Sequence, residues 1–442
     1  MKITIFGTGY VGLVTAACLA SKKHNVICYD TDIDRINKIN NGIVPIFEAG
    51  LDDLIAKGMA SGKLIFASSP GKSLESPDII VLCVGTPDDG TGATSLKAIN
   101  SCANTISELL THSVPVLIKS TIPVGTCAKI QRLINKVLQR RKIDIEIPVA
   151  SNPEFLSEGQ AISEFYNPDR IILGTHDENV IEASYNLYQD VMPESNKILV
   201  MSPESSELTK YASNSFLAIK ISYMNQLSQF CSLSGANIDD VKRGMGPDPR
   251  ISPYYLNAGI GFGGSCLPKD ISSLIHQASE KGKDFSILKA VREVNESQKQ
   301  YLFSIASSLF NNNLKGKKIA VWGLAFKPKT ADMRSAPSLT IIQALLDAGA
   351  KVECYDPEVS KGRESFEIQH KLLSIVRSPY EATEDADCLI ICTEWSEFKN
   401  INYEKLTNMM KRRVILDGRN ILNSEEVSAN NFEYFDIGRV QT

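Results

Sequence analysis

No stretch of this 442-residue chain approaches the ~18 consecutive apolar residues that a membrane-spanning helix needs, so no transmembrane segment is expected. The opening MKITIFGTGYVG offers one lysine and a short β-rich run ending in glycines. It lacks the long apolar stretch and small-residue cleavage site of a signal peptide. An excess of one charge is missing too. The 47 Lys and Arg stand against 51 Asp and Glu, a net of −4, which gives no general attraction to nucleic acid or anionic membranes. Cations that bind an anionic ligand must therefore be local. The ten cysteines include no CxxC pair and have no histidine at zinc spacing, so no metal is expected. Several, such as Cys28 in VICYD and Cys83 in IIVLCVG, lie in apolar runs and read as small buried hydrophobes in a reducing, cytoplasmic compartment. Heptads, low-complexity tracts and short repeats are also absent.

What is present is an ordinary globular composition, with room for two or three domains of roughly 100–200 residues each. Up to about residue 195, short β-branched runs (KITIFG, NVICYD, IIVLCVG, PVLIKST, RIILG) alternate with helical patterns. That alternation predicts βαβ units and a mostly parallel, doubly wound sheet. From Ser202-Pro203, an N-cap followed by Pro at the first helical position, the pattern runs unbroken to about Ser234. Such a helix would be ~45 Å long at 1.5 Å per residue, enough to cross between domains or subunits. Residues 202 to about 300 read as helical apart from SPYYLNAGIGFGGSC. A second strand-first segment opens at LKGKKIAVWGLAF and continues through KVECYD, DCLIICT and RRVILDG. The expected α/β architecture has a dinucleotide-type domain over 1–200, a central helical domain over 201–313 and a smaller α/β domain over 314–442.

Gly7-Thr8-Gly9-Tyr10-Val11-Gly12 is a GxGxxG between strand KITIF and helix VTAACLASKK, with Asp30 eighteen residues past Gly12 at the end of NVICYD. This is the Rossmann-like context. The glycines admit a pyrophosphate at the helix N-terminus, and Asp30 accepts from a ribose and disfavours a 2′-phosphate, so NAD is expected over NADP. Val84-Gly85-Thr86-Pro87 and Lys119-Ser120-Thr121-Ile122-Pro123 each follow a strand and are expected to border the cofactor, although plain turns would look little different. In GFGGSCLPKD, Pro268 opens a helical pattern, which puts Cys266 just before a helix N-terminus with Lys269 nearby. Dipole, free amides and a cation all favour the thiolate. The surrounding glycines read as room for backbone to approach a ligand. Glu207, Lys210 and Asn214 share one helix face; alone they read as a solvated stripe, but a glycine loop and a dinucleotide domain in the same chain shift the reading toward a site. In SNPEFLSEG, Glu154 and Glu158 are open to both catalysis and helix-start charge.

These motifs, with GLAFKPKTADMRSAP and DGRN, resemble in order and over nearly the whole chain the UDP-glucose/GDP-mannose dehydrogenase family. The resemblance implies a four-electron oxidation of a nucleotide sugar with two NAD and no free aldehyde. Cys266 would be the nucleophile that carries a thioester. Lys210 and Asn214 would stabilise oxyanions, Asp270 would orient water or Lys210, and Glu154 would assist proton transfer with Thr121 holding water. It also implies a cofactor set of Gly7, Gly9, Tyr10, Val11, Gly12, Asp30, Arg35, Thr86, Thr121, Glu158, Lys269 and Arg334. The substrate set would be Glu154, Phe155, Leu156, Lys210, Asn214, Tyr255, Asn257, Gly263, Phe326, Lys327 and Arg419, with Arg250 reaching the partner's site. A homodimer or larger homo-oligomer through the helical middle follows from that last match. RISPYYLNAGIGFGG before Cys266 and PKD after it look most like the UDP-glucose branch. Ser265 stands where N-acetylated hexosamine members carry histidine. GDP-mannose or another nucleotide sugar is the alternative substrate. A two-electron β-hydroxyacid or 6-phosphogluconate type would lack the third domain and the GGxC loop, and a non-catalytic NAD sensor would need neither the cysteine nor the lysine.

Overall fold

The computed structural model describes residues 1–361, 366 and 368–439. Two compact units divide the chain, Met1–Ser213 with Ser272–Lys283, and Asn214–Ile271 with Asp284–Thr442. Each is built on its own sheet. Among the described residues no helix is long and apolar enough to cross a membrane.

The first sheet has strands β1 (Lys2–Phe6), β2 (Asn25–Tyr29), β3 (Leu64–Ala67), β4 (Ile79–Leu82), β5 (Val116–Ile118), β6 (Val149–Ser151), β7 (Ile171–Gly174) and β8 (Ile198–Met201), in the order β3-β2-β1-β4-β5-β6-β7-β8. Every pairing is parallel except β6 with β7. Both faces of β4 are buried. Ile79 and Val81 enter one apolar cluster and Ile80 and Leu82 the other, so the strand reads as a continuous hydrophobic run. The order reverses between β1 and β4, and their adjacent carboxyl ends carry the two loops GTGYVG and VGTP. That switch point is where open α/β sheets take their ligands.

The second unit repeats the plan with β9 (Lys318–Trp322), β10 (Lys351–Tyr355), β11 (Leu373–Ile375), β12 (Cys388–Ile391), β13 (Val414–Asp417) and β14 (Glu433–Phe435), ordered β11-β10-β9-β12-β13-β14. Its switch point lies between β9 and β12.

The long helix runs Pro203–Ser234 without interruption. The Ser202 hydroxyl accepts from the Ser205 amide at 3.2 Å, the capping bond that the Ser-Pro start requires. Further helices, Ile238–Met245, Leu267–Glu280, Ser286–Lys299 and Tyr301–Leu309, follow it in the helical middle. The segment between the first two of these is the irregular stretch expected from its glycines.

Candidate active site

In the first unit the three glycines of the turn differ in what they make room for. Gly7 has φ +101°, and a Cβ on it would lie 2.7 Å from the Cys83 carbonyl oxygen. A Cβ on Gly12 would meet the Gly7 carbonyl at 2.0 Å, so close strand–helix packing demands glycine there. Around Gly9 no protein atom lies within 4 Å of such a Cβ. Nothing in the chain itself requires glycine at that position, whereas a pyrophosphate laid on the N-terminus of helix Tyr10–Ser21 would. Asp30 Oδ2 accepts from the Thr8 amide and hydroxyl, each at 2.7 Å, and Oδ1 from the Asp32 amide at 3.0 Å. Partial burial pushes its pKa up, but those donors and the nearby Arg35 outweigh it and hold the carboxyl below the usual range. An ionised acceptor at the end of β2 fits a ribose diol. The residues present therefore fit NAD. The Tyr10 side chain turns elsewhere, its hydroxyl bonding Glu48 while the Gly159 amide donates to it at 2.9 Å. Val11 packs on the apolar cluster beneath the turn.

The loops after β4 and β5 are tied together, with Thr86 Oγ1 donating to the Thr121 carbonyl at 2.8 Å and Ser120 Oγ to the Val84 carbonyl at 2.7 Å. The loop after β6 starts from buried Asn152, whose amide group donates to the Ile172 carbonyl at 2.9 Å and accepts from Tyr188 at 2.6 Å. Two residues on, Glu154 meets Lys210. The ammonium donates to the Glu154 carbonyl at 2.5 Å and its carboxylate at 3.3 Å, and both side chains are almost wholly buried. The other Glu154 oxygen accepts from the Leu156 amide at 2.6 Å. A buried cation and a buried carboxylate are each costly alone, and here each offsets the other. Lys210 also lies over the Phe155 ring, 5.1 Å from its centre. Glu158 follows, half-buried, in the turn after this loop. Glu207, one turn before Lys210, caps helix Thr126–Arg141 by accepting from the Gly125 and Cys127 amides at 2.5 and 2.7 Å. Burial nonetheless pushes its carboxyl up.

In the second unit Cys266 is exposed and the other nine cysteines of the chain are buried. Its carbonyl accepts from the Asp270 amide at 2.9 Å, the first bond of helix Leu267–Glu280, so Cys266 is the N-cap. Buried Asp270 receives Asn214 Nδ2 at 2.6 Å on one oxygen and Lys269 Nζ at 2.7 Å on the other. Both partners lie where the sequence placed a site.

The glycine loop before Cys266 differs from the expectation in its physical cause. A Cβ on Gly263 would lie 2.5 Å from the Ser335 carbonyl oxygen, one on Gly264 2.9 Å from the Phe326 ring, and one on Gly261 2.9 Å from Asn295 Oδ1. The glycines admit other parts of the protein, and the loop is wedged against them. Arg419 reinforces it by donating to the carbonyls of Cys392 at 2.8 Å and of Gly261 and Phe326, each at 3.4 Å, beside the Glu394 carboxylate. An arginine expected at the substrate phosphates is here found clasping three chain segments. Phe326 and Lys327 leave β9 at the switch point, with the Lys327 ammonium over the Phe326 ring. Arg334 is bidentate to Asp332, and Arg250 is exposed and bidentate to Asp248. Asn257 accepts from Lys242, and Tyr255 takes a left-handed φ of 62°.

Three family models match the chain in succession. They are the NAD binding domain of the UDP-glucose/GDP-mannose dehydrogenase family over residues 1–192, its central domain over 204–297 and its UDP binding domain over 320–424. The chain belongs to this family. It is accordingly an NAD-dependent oxidoreductase. The UDP-glucose 6-dehydrogenase of Pseudomonas aeruginosa is 38% identical over 99% of this chain and 98% of its own length. That of Rhizobium meliloti is 39% identical over 99% and 100%. Among solved structures, a UDP-glucose dehydrogenase from Pyrobaculum islandicum superposes with a TM-score of 0.88 at 31% identity, covering 99% of this chain and 98% of that one.

The six strands of the second sheet follow the order of the first six of the other, but the corresponding acids differ in how many donors they hold. Asp356, at the end of β10, stands where Asp30 stands after β2. Its oxygens are taken by the amides of Leu324, Ala325, Glu358 and Val359 and by the Trp395 indole, all within 3.2 Å. Sequence reasoning missed this contrast, because the Asp356 partners come from three separate segments.

Proposed function

We propose that this chain oxidises UDP-glucose to UDP-glucuronate in two successive two-electron steps through a covalent bond to Cys266. The observation that carries the reading is the one exposed thiol of the chain at a helix N-terminus, three residues before Lys269. The names of the full-length relatives support the sugar, and the match of residues 320–424 supports UDP as the base carrier. NAD, held by Gly7, Gly9, Tyr10, Val11, Gly12, Asp30, Arg35, Thr86, Glu158, Lys269 and Arg334, supplies the hydride acceptor. The Cys266 thiolate adds to the aldehyde carbon and tethers it as a thiohemiacetal. Oxidation of that adduct leaves a thioester, and attack of water on the thioester carbon releases the carboxylate and returns the thiolate. Lys210 and Asn214, one turn apart on the long helix, stabilise charge as it develops on the reacting oxygen. Asp270 holds Asn214 and Lys269 in place, while Glu154 and Thr121 position the water. Phe155, Leu156, Tyr255, Asn257, Gly263, Phe326, Lys327 and Arg419 shape the sugar-nucleotide pocket.

The protein works as a homodimer through the helical middle, with Arg250 acting in the partner's site. Phe216, Tyr223 and Phe230, seven residues apart on the long helix and each more than half exposed, support that surface.

Spectrophotometry of UDP-glucose with excess NAD tests the chemistry. Two NADH per sugar are expected. Cys266→Ser should lose turnover by several orders of magnitude while still binding NAD, and the buried control Cys231→Ser should stay active. A single NADH per sugar, or near-normal release of two by C266S, overturns the mechanism. Faster turnover of GDP-mannose overturns the substrate.

A further inference from the structure

Glu48 lies outside every motif described above, yet it is 95% buried and carries a carboxylate (5% relative exposure). It sits just before helix Leu51–Ala60, in a segment without regular structure. One of its oxygens accepts from the Tyr10 hydroxyl and, at 2.7 Å, from the Gly159 amide. The other faces the Ile162 amide at 3.4 Å. Gly159 donates to the Tyr10 hydroxyl as well, at 2.9 Å, so phenol, carboxylate and amide close a three-membered hydrogen-bonded cluster. Burial first, and then the bond to Glu48, push the Tyr10 phenol far above its usual range, so it remains a donor at any working pH.

The cluster joins two functional segments of the first unit. Tyr10 is the first residue of the helix that follows the glycine turn. Gly159 closes the loop that begins at Asn152 and carries Glu154 and Glu158. The near end of that loop is pinned by the Lys210–Glu154 pair and by the Asn152 amide. At its far end the Glu164 carboxylate accepts from the Ser157 amide at 2.5 Å. Glu48 and the Tyr10 hydroxyl are anchors that reach that end from elsewhere in the chain. We propose that Glu48 is a positioning residue, fixing the 153–160 loop and its two carboxylates against the first turn of the glycine-turn helix. An ionic acceptor suits this task, because two amides and a phenol converge on it and a charged acceptor binds each about twice as strongly as a neutral one. The role rests on the function proposed above, in which Glu154 and Glu158 serve the reaction.

Two substitutions in the full-length chain test it. Glu48→Gln keeps the size but turns one acceptor into a donor that faces other donors. Tyr10→Phe removes only the hydroxyl. For Glu48→Gln, kcat/KM for UDP-glucose should fall by about tenfold or more, since small displacements of positioned groups cost that much, while the Kd of NAD stays within about threefold. Tyr10→Phe should shift the same constants by less, because the Gly159 amide still holds Glu48. Hydrogen exchange should quicken across residues 153–162 in both variants and stay unchanged in the second unit. A lowered Tm with kcat per NAD site and both KM values unaltered would mark Glu48 as a fold-holding residue and overturn the proposal. So would unchanged exchange in the loop, whatever the turnover. If Glu48→Gln does not fold, Tyr10→Phe decides alone by the same readouts. Wild-type chain that binds NAD without oxidising UDP-glucose would instead count against the function, leaving the exchange result to judge the role of Glu48.

Discussion

Asp30 is the side chain on which we rest the choice of cofactor. Its two oxygens already hold three donors from Thr8 and Asp32, which fix the carboxylate in place and keep it ionised. A ribose diol adds donors to lone pairs that remain, while a 2′-phosphate would bring a second anion to the same spot. NAD should therefore be used far better than NADP, and comparable kcat/KM values for the two would overturn this. Losing hydrogen bonds to a charged acceptor costs about 1.5–3 kcal/mol, so Asp30→Ala should raise the KM of NAD by roughly tenfold to a hundredfold and narrow the preference. The pH dependence follows from the sign of the shift. A carboxyl whose folded pKa is lowered keeps its stabilising bonds at every pH above the ordinary carboxylate range and loses them as pH falls through the lowered value. NAD affinity should thus show no Asp30-dependent step between neutrality and about pH 4, measured by titrating cofactor fluorescence in wild type and Asp30→Asn. An Asp30-dependent step near pH 6 would contradict the assignment.

The elements around Cys266 illustrate why glycine carries different meanings in similar motifs. Alanine at Gly263 must push its Cβ into the Ser335 carbonyl, and overpacking of this kind costs roughly 1–3 kcal/mol. Alanine at Gly9 meets no protein atom. Thermal melts should therefore show Gly263→Ala destabilised and Gly9→Ala close to wild type, with Gly9→Ala losing NAD affinity instead. Equal melting losses in the two would undo the distinction. Sequence alone showed that both segments were glycine turns before a helix, because flanking strands and Pro268 mark them locally. It could not tell ligand from protein as the reason, since Ser335, Phe326 and Asn295 lie 34 to 72 residues from the glycines they meet. The same limit explains the elements that went unread. Strands β1, β2, β4, β5 and β7 announce themselves as β-branched runs bounded by turns, whereas β3, β6 and β8, at three or four residues like β4 and β5, gain their identity from neighbours. The long helix was legible from its Ser-Pro start and unbroken pattern. Lys210 and Asn214 were legible as a shared face, but the pairing of Lys210 with Glu154, and of Asn214 with Asp270, needed the fold to bring residues 56 apart together. Glu48 had no local signature.

At the scale of the whole molecule, the decisive question is whether one chain completes its own site. Arg250 is exposed, and the one ion pair it makes, with Asp248, leaves its side chain largely in solvent. The aromatic row of Phe216, Tyr223 and Phe230 gives a second copy something to cover. A twofold dimer built on that row would use the same patch on both chains, as isologous interfaces do. If Arg250 serves the partner, Arg250→Ala and Cys266→Ser are each defective as pure dimers for different reasons, and mixing them restores a site. In the mixed dimer the C266S chain lends its Arg250 to the partner that retains Cys266. Random pairing makes half of all dimers mixed, and one site in each is intact, so co-expression should recover about a quarter of the wild-type activity per site. Were Arg250 to act within its own chain, no site in any dimer would hold both residues, and the mixture would be no more active than its parts. Phe230→Glu sharpens the test, since charges facing each other across the row should shift the protein toward monomer in sedimentation and abolish the recovery. Recovery that survives in a monomeric Phe230→Glu background, or none at all in a stable mixed dimer, would rule out the shared site.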